Sequence, residues 1–217
     1  MSELLDRLAA LDVCSLSDAM DALGLDGAVD GLGPLWEGAR VVGHAVTMKL
    51  AEGPTPATAT PVHLGARAVG LAGPGRVIVV DNGGRDSMGS WGGLLSSAAV
   101  AQGVSGVVTD GACRDVDEAR ELRFPVFARR GAVRTARGRV HEVNTGAPVS
   151  LAGVTVHAGD VVAADGSGIV IIPAADAERV AEKAEELLAR ERTMLAALQA
   201  GVPAVEVLDG TYENALK

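Results

Sequence analysis

The amphipathic pattern of 3–11 and 15–23 predicts two short helices, the second bounded by Ser15 as N-cap, Asp18 three residues later and Gly24 as its stop. The Gly/Pro-rich run 24–34 reads as a connection, and RVVGHAVTMKL at 40–50 as a strand. Pro54, Pro56 and Pro61 break 51–61 into a loop. A helix over 62–71 ends at Gly73-Pro74-Gly75, and RVIVVD at 76–81 has the continuous apolar run of a strand buried on both faces. That rhythm repeats twice: a small-residue helix over 91–102, stopped by Gly103, leads to a strand at 106–109, and a helix over 114–122 leads to a strand at 125–128. Alternating helix and strand predicts a mainly parallel central sheet.

Beyond 129 the pattern changes. Short apolar runs at 154–157, 161–164 and 169–172 are divided by Gly159-Asp160 and by Asp165-Gly166-Ser167-Gly168, as tight-turned antiparallel strands require. From 174 to 199, apolar residues at 177, 180, 181, 184, 187, 188, 194, 195 and 198 mark a long amphipathic helix. The tail 201–217 carries Val205 and Leu208 among acidic residues, and is expected to pack on a neighbouring subunit or to fray. With no linker or repeat in sight, the 217 residues read as one α/β domain.

Composition narrows the function classes. Hydrophobic residues make up 48% but aromatics only 2%, so the core must be aliphatic, and 28 glycines permit tight turns close to a ligand. A net charge of −9 without a basic block argues against a nucleic-acid or anionic-lipid surface. The five arginines within 129–139 read as a solvated edge. Two cysteines without CxxC spacing and an N-terminus without signal-peptide character point to a reduced, cytoplasmic protein. No apolar run approaches the ~20 residues that cross a bilayer.

Several catalytic templates fail. His141-Glu142 is followed by Thr145 where a zincin pair needs histidine, and there is no Walker loop, GxSxG elbow or complete GxGxxG. His44 reads as a hydrogen-bonded core histidine, Cys113 as a packed thiol, Lys49 as exposed or ion-paired, and Arg85-Asp86 as a loop ion pair. What remains lies at strand ends, where open α/β sheets bind ligands. Thr109-Asp110-Gly111-Ala112-Cys113-Arg114-Asp115 follows a buried strand, and Gly92-Gly93-Leu94-Leu95 opens the preceding helix. Unpaired amides at that helix start can point at an anion. Arg114 offers a planar fork for a carboxylate, and Asp115 a hard oxygen for Mg²⁺ or Mn²⁺; a local ion pair capping a helix is the equally weighted alternative.

Gly93, twenty intervening residues, Arg114, Asp115, two more residues and Glu118 resemble the G-x20-R-D-x2-E/D signature of RraA-like proteins. The likeness extends to SLSDAMDALG at 15–24, GHAVT at 43–47, GVVTDGACRD at 106–115 and GDVVAADGSGIVIIP at 159–173. That family includes 4-hydroxy-4-methyl-2-oxoglutarate and 4-carboxy-4-hydroxy-2-oxoadipate aldolases, and regulators of ribonuclease activity. The resemblance implies a layered α/β/β/α fold, with short antiparallel strands after the central sheet and a long C-terminal amphipathic helix. It also implies a homotrimer or homohexamer.

For the site, the resemblance implies a divalent-metal-dependent lyase acting on a small anionic 2-oxo acid. The substrate's carboxylate and keto oxygen lie against the backbone of Gly92, Gly93, Leu94 and Leu95 and the side chain of Arg114; Asp115 is the protein ligand to Mg²⁺ or Mn²⁺. Arginine and metal then stabilise a pyruvate enolate, whether formed by retro-aldol cleavage or by decarboxylation of oxaloacetate. The alternatives are a protein-binding regulator of a ribonuclease, or another enolate reaction at the same site. One departure stands out: many relatives carry an acidic residue where this chain has Gly93. The general base is therefore unassigned among Asp86, Asp110, Asp117, Glu118 and a carboxylate of another subunit.

Overall fold

The computed structural model describes residues 3–57 and 62–208. Part of the expected 51–61 loop, at 58–61, and the end of the tail, at 209–217, lie outside the described residues. Both N-terminal helices form, α1 (Glu3–Ala9) and α2 (Val13–Ala22), and bury Leu5, Leu8, Leu16, Ala19 and Met20. The cap of α2 is Asp12 rather than Ser15: the Asp12 carboxylate accepts the Ser15 N–H and hydroxyl, each at 2.8 Å. Ser15 is thus the third residue inside the helix, which begins earlier than its serine suggested.

This cap carries a stability expectation. Burial pushes the Asp12 carboxyl up, but hydrogen bonds from Ser15 together with the Asp12 and Cys14 amides outweigh it and hold the pKa below the ordinary aspartate value. A depressed folded pKa gives stability that is present above the unfolded pKa, near 4, and lost as pH falls through the folded value. Asp12→Ala should therefore lower stability at pH 7 by about 1 kcal/mol in denaturant titrations, with the difference from wild type shrinking below about pH 4.

The expected connection 24–34 contains two edge strands of two residues, β1 (Ala28–Val29) and β2 (Gly33–Pro34). The alternating region follows as β3 (Val41–Glu52), α3 (Ala66–Leu71), β4 (Arg76–Asp81), β5 (Gly89–Trp91), α4 (Gly93–Ala101), β6 (Gly106–Thr109), β7 (Ala112–Cys113), α5 (Val116–Glu121), β8 (Val126–Ala128) and β9 (Arg130–Gly131). After it come β10 (Val140–Thr145), β11 (Val149–Leu151), β12 (Val154–Val156), β13 (Val161–Asp165), β14 (Gly168–Ile172), α6 (Ala177–Gln199) and α7 (Ala204–Val207). Four expected helices start late, the long one expected from 174 beginning at Ala177. The one expected over 62–71 begins at Ala66, after Gly65 in the left-handed region; those expected from 91 and 114 begin at Gly93 and Val116, because short strands precede them.

The main sheet runs β1-β14-β13-β3-β4-β6-β8-β2, with β10 beside the second half of β3. Its centre, β3-β4-β6-β8, is parallel and its flanks are antiparallel. Strand period decides the layers. Val42, Val46, Ile78, Val80, Val107, Val126, Val161 and Ile172 point to the side of the helices. Val41, Val77, Val79, Val108, Phe127 and Ile171 point to the side of the β11–β12 hairpin, which adds Val149, Leu151 and Val156. α6 buries Ala177, Val180, Ala181 and Ala184, and Arg7 of α1 pairs with Glu178 and Glu185 on it. No helix among the described residues is long and apolar enough to cross a membrane.

A second, smaller sheet positions the loops. Each of β4, β6 and β8 continues past its carboxyl end into one strand of the parallel sheet β5-β7-β9. The Arg114 N–H bonds Trp91 O at 2.9 Å, and the Ala132 N–H bonds Cys113 O at 2.8 Å. The chain therefore leaves three adjacent strands at one place: towards α4, towards α5 and towards the 132–139 segment.

Candidate functional site

Those three exits wall a cavity of about 380 Å³. It is lined by Gly92, Gly93, Leu94 and Leu95 with Arg114 and Asp115, and by 62–64 and Arg67, the turn 135–138, and Val140 and Glu142 of β10. The six residues singled out in the sequence thus meet at one cavity. Trp91 also lines it: the ring is buried, stacks on Phe124 with centroids 6.4 Å apart, and donates from Nε1 to Ser96 Oγ at 3.0 Å.

Local sequence explains how the two polar residues are held. A side chain on Gly89 would place its Cβ 2.5 Å from Arg114 Cγ, so the arginine stem lies across a glycine that leaves room for it. Gly111, at the turn before β7, is packed against Asn82, Ser90 and the Arg85 carbonyl, where a Cβ would come within 2.5–3.0 Å. Asp115 has φ 58, in the left-handed region that aspartate tolerates better than most residues. This conformation turns its carboxylate onto α4, where Oδ2 accepts the Gly93 N–H at 2.9 Å. Arg114 Nη2 stands 3.9 Å from Asp115 Oδ1, with the two side chains 39% and 34% exposed. The local ion pair and the shared cavity wall coexist.

The arrangement refines the helix-start idea. The Gly93 N–H is already taken by Asp115, so Leu94 and Leu95 supply the first-turn amides left for an anion.

Of the four carboxylates weighed for acid-base work, three are committed elsewhere. Asp86 pairs with Arg130 at 2.8 Å, which holds it below the usual carboxylate range; Asp117 pairs with Arg120 at 2.7 Å. Asp110 is buried, which pushes its pKa up, and accepts the Asn82 and Gly84 amides at 2.6 and 2.8 Å. Glu118 is the exception. Its Oε2 stands 1.8 Å from where a Gly93 Cβ would be, so Glu118 occupies the space over Gly93 in which an acidic side chain is missing.

The donor set fits a hydrated hard cation. Asp115 Oδ2 lies 2.9 Å from an ideal Gly92 Cβ and Glu118 Oε2 lies over Gly93, so two carboxylates converge on the start of α4. Mg²⁺ or Mn²⁺ is commonly held by one or two carboxylates with water in its remaining positions. Among the described residues no group of three or more His, Cys, Asp or Glu could hold a metal, so an all-protein cage is not part of this arrangement.

Lys49 pairs with Asp81 at 3.4 Å, and His44 Nδ1 meets Gly159 O at 3.0 Å. Cys113 is buried, which drives its thiol pKa up and makes it a packed side chain. Arg85 and Asp86 do not pair with each other: Arg85 donates to Leu50 O, and Asp86 takes Arg130. Sequence reasoning passed over Arg67, Arg137 and Glu142. Arg137 was one of five arginines in a run, and Glu142 was considered only beside His141. Neither run shows which side chain turns inward.

A family model described as "RraA-like: Aldolase/RraA" matches residues 13–171. The chain is 31% identical over 201 residues to Protein DlpA of Legionella pneumophila, covering 93% of this chain and 32% of that protein, so it spans about a third of DlpA's length. It is 30% identical over 203 residues to the "Putative 4-hydroxy-4-methyl-2-oxoglutarate aldolase" of Halalkalibacterium halodurans, covering 94% of this chain and 92% of the relative. Among solved structures it resembles an uncharacterized protein from Pseudomonas syringae pv. tomato str. DC3000, with TM-score 0.84, 31% identity, and coverage of 95% of this chain and 96% of that one.

Proposed function

The chain belongs to the RraA-like family, and on that footing we propose that it is a divalent-metal-dependent lyase that cleaves or decarboxylates a short 2-oxo acid to pyruvate. The observation that carries this reading is the meeting of Arg114, Asp115 and the first turn of α4 in one cavity wall. Relatives named as aldolases supply the reaction class.

The chain's own groups divide the work. Arg114 and the Leu94 and Leu95 amides bind the 2-oxo acid's carboxylate and turn its keto group towards Asp115. Asp115, with Glu118 beside it, is the holder of Mg²⁺ or Mn²⁺. When bound, the cation supplies positive charge at the oxygen on which negative charge develops. In retro-aldol cleavage the substrate hydroxyl loses its proton, its C–O becomes a carbonyl, and the C–C bond breaks to leave pyruvate enolate, which then takes up a proton. In decarboxylation CO₂ leaves and the same enolate is protonated. The buried Trp91 and Leu95 exclude water from their part of the cavity lining.

Assembly as a homotrimer or homohexamer belongs to the same reading. It is supported by Leu94 and Val133, which are 73% and 95% exposed on either side of Asp115.

The test is pyruvate release from oxaloacetate and from 4-hydroxy-4-methyl-2-oxoglutarate. Turnover should require added Mg²⁺ or Mn²⁺ and stop with EDTA. Turnover that is indifferent to EDTA would refute the metal-dependent reading.

A further inference from the structure

Retro-aldol cleavage takes a proton from the substrate hydroxyl and returns one to the enolate carbon, and no side chain has yet been given either step. Six side chains that line the cavity carry a charge or can acquire one: Arg67, Arg114, Arg137, Asp115, Glu142 and His63. Guanidinium groups stay protonated and accept nothing. Asp115 receives the Gly93 N–H and is given to the cation. Glu142 accepts the Thr145 hydroxyl at 2.7 Å and the Gly65 N–H at 3.3 Å, and pairs with Arg67 at 3.7 Å. His63 is the group left over.

Its hydrogen bonding assigns its tautomer. Nδ1 lies 2.8 Å from the Leu64 carbonyl oxygen, which can only accept, so the ring hydrogen belongs on Nδ1. In the neutral ring Nε2 then bears a lone pair, and Nε2 has no hydrogen-bond partner among the described residues. An imidazole aimed through Nδ1 with Nε2 left open is arranged for proton transfer.

The backbone that carries His63 is braced against the acid-binding turn. The His63 carbonyl accepts the Ala66 N–H at 3.0 Å, and Gly65, with φ +79, is held through its N–H by Glu142. A Cβ on Gly65 would stand 3.0 Å from Leu95 Cδ1 and 3.6 Å from Trp91 Cζ3, so this backbone packs on the first turn of α4. His63 is two residues from that contact, at most ~7 Å of chain.

We propose that His63 is the proton-transfer group of this site: Nε2 takes the hydroxyl proton as the C–C bond breaks and returns it to the enolate carbon of pyruvate. The O–H electron pair becomes the new carbonyl bond, the C–C pair passes into the enolate, and the proton rides on Nε2 between the two steps, so the ring ends neutral. This rests on the lyase reading given above. His63 is exposed and precedes α3, so its replacement removes nothing from the core.

The test compares two reactions of the full chain in Mg²⁺. Cleavage of 4-hydroxy-4-methyl-2-oxoglutarate needs a base for the hydroxyl, whereas loss of CO₂ from oxaloacetate needs none and leaves an enolate that water can protonate. His63→Gln should lower cleavage by ~10²-fold or more, the scale of general acid–base catalysis, and decarboxylation far less, so that the ratio of the two rates falls ~10-fold or more. Exchange of the pyruvate methyl hydrogens in D₂O, followed by NMR, should fall with cleavage, because the same nitrogen removes that proton in the reverse direction. Added imidazole should restore part of the cleavage lost in His63→Ala, which a merely structural role would not allow. Cleavage and exchange at wild-type rates in His63→Gln, or equal losses in both reactions without rescue by imidazole, would overturn the role of His63 and leave the lyase reading standing. No pyruvate from either substrate with wild type would overturn the lyase reading and this role with it.

Discussion

Replacing Asp115 by alanine is expected to lower metal-dependent pyruvate release by ~10²-fold or more, because a cation at the developing negative charge is worth several kcal/mol and Asp115 is its expected anchor. The alanine variant alone is ambiguous. Asp115 also accepts the Gly93 N–H at 2.9 Å and sits at φ 58, so alanine removes a link between α4 and α5 and places an unfavourable residue in the left-handed region. Asp115→Asn separates the two roles. Asparagine tolerates that backbone and can still accept the amide, but brings no charge to a hard cation. Loss of activity in both variants, with thermal stability near wild type only in asparagine, is the expected pattern. An asparagine variant with wild-type turnover and unchanged Mg²⁺ dependence would remove Asp115 from the metal site.

Much of this geometry was legible in the sequence, and the rest has a physical reason for being hidden. The runs RVIVVD and GVVT announce strands because both their faces are covered, so no polar residue interrupts them. Arg114 and Asp115 were found because a glycine turn follows one such strand. The strands β7 and β9 left no trace, being two residues each and existing only through pairing with β5 and with one another. β10 was missed for a different reason. Its VHEVNT sequence is mostly half-buried or exposed and lacks a clean apolar face, yet it lines the cavity through Val140 and Glu142. The pairing of β10 with β3 therefore had to be seen before this part of the cavity lining could be.

Gly93 illustrates the same limit on a finer scale. From sequence it was a gap where relatives carry a carboxylate. In space the gap is filled by Glu118, from the first turn of α5, a placement that depends on how α4 and α5 pack. Arg137 is the complementary case: nothing in a run of five arginines shows which one lines the cavity until the turn 135–138 is placed.

Arg114→Ala should lower kcat/KM for pyruvate release by ~10²–10³-fold, the loss seen when one preorganised donor to a developing anion is removed. Stability should hardly change. The only ion pair of Arg114 among the described residues is a 3.9 Å contact with Asp115, and both side chains are about a third or more exposed, so solvent screening leaves such a pair worth about 0–1 kcal/mol at most. A large kinetic loss with an unchanged melting temperature is what distinguishes a substrate-binding arginine from a capping ion pair, the alternative that spacing alone could not dismiss. Arg114→Lys sharpens the point. The Arg114 stem is laid across Gly89, with Cγ 2.5 Å from the position of a Gly89 Cβ, and this fixes the direction in which the planar fork points. Lysine keeps the charge but not the two parallel N–H groups, and should recover only a fraction of the lost rate. Full rescue by lysine would mean that charge alone suffices and that the glycine-cradled orientation serves packing; a lowered melting temperature with wild-type kcat/KM in the alanine variant would return Arg114 to a structural role.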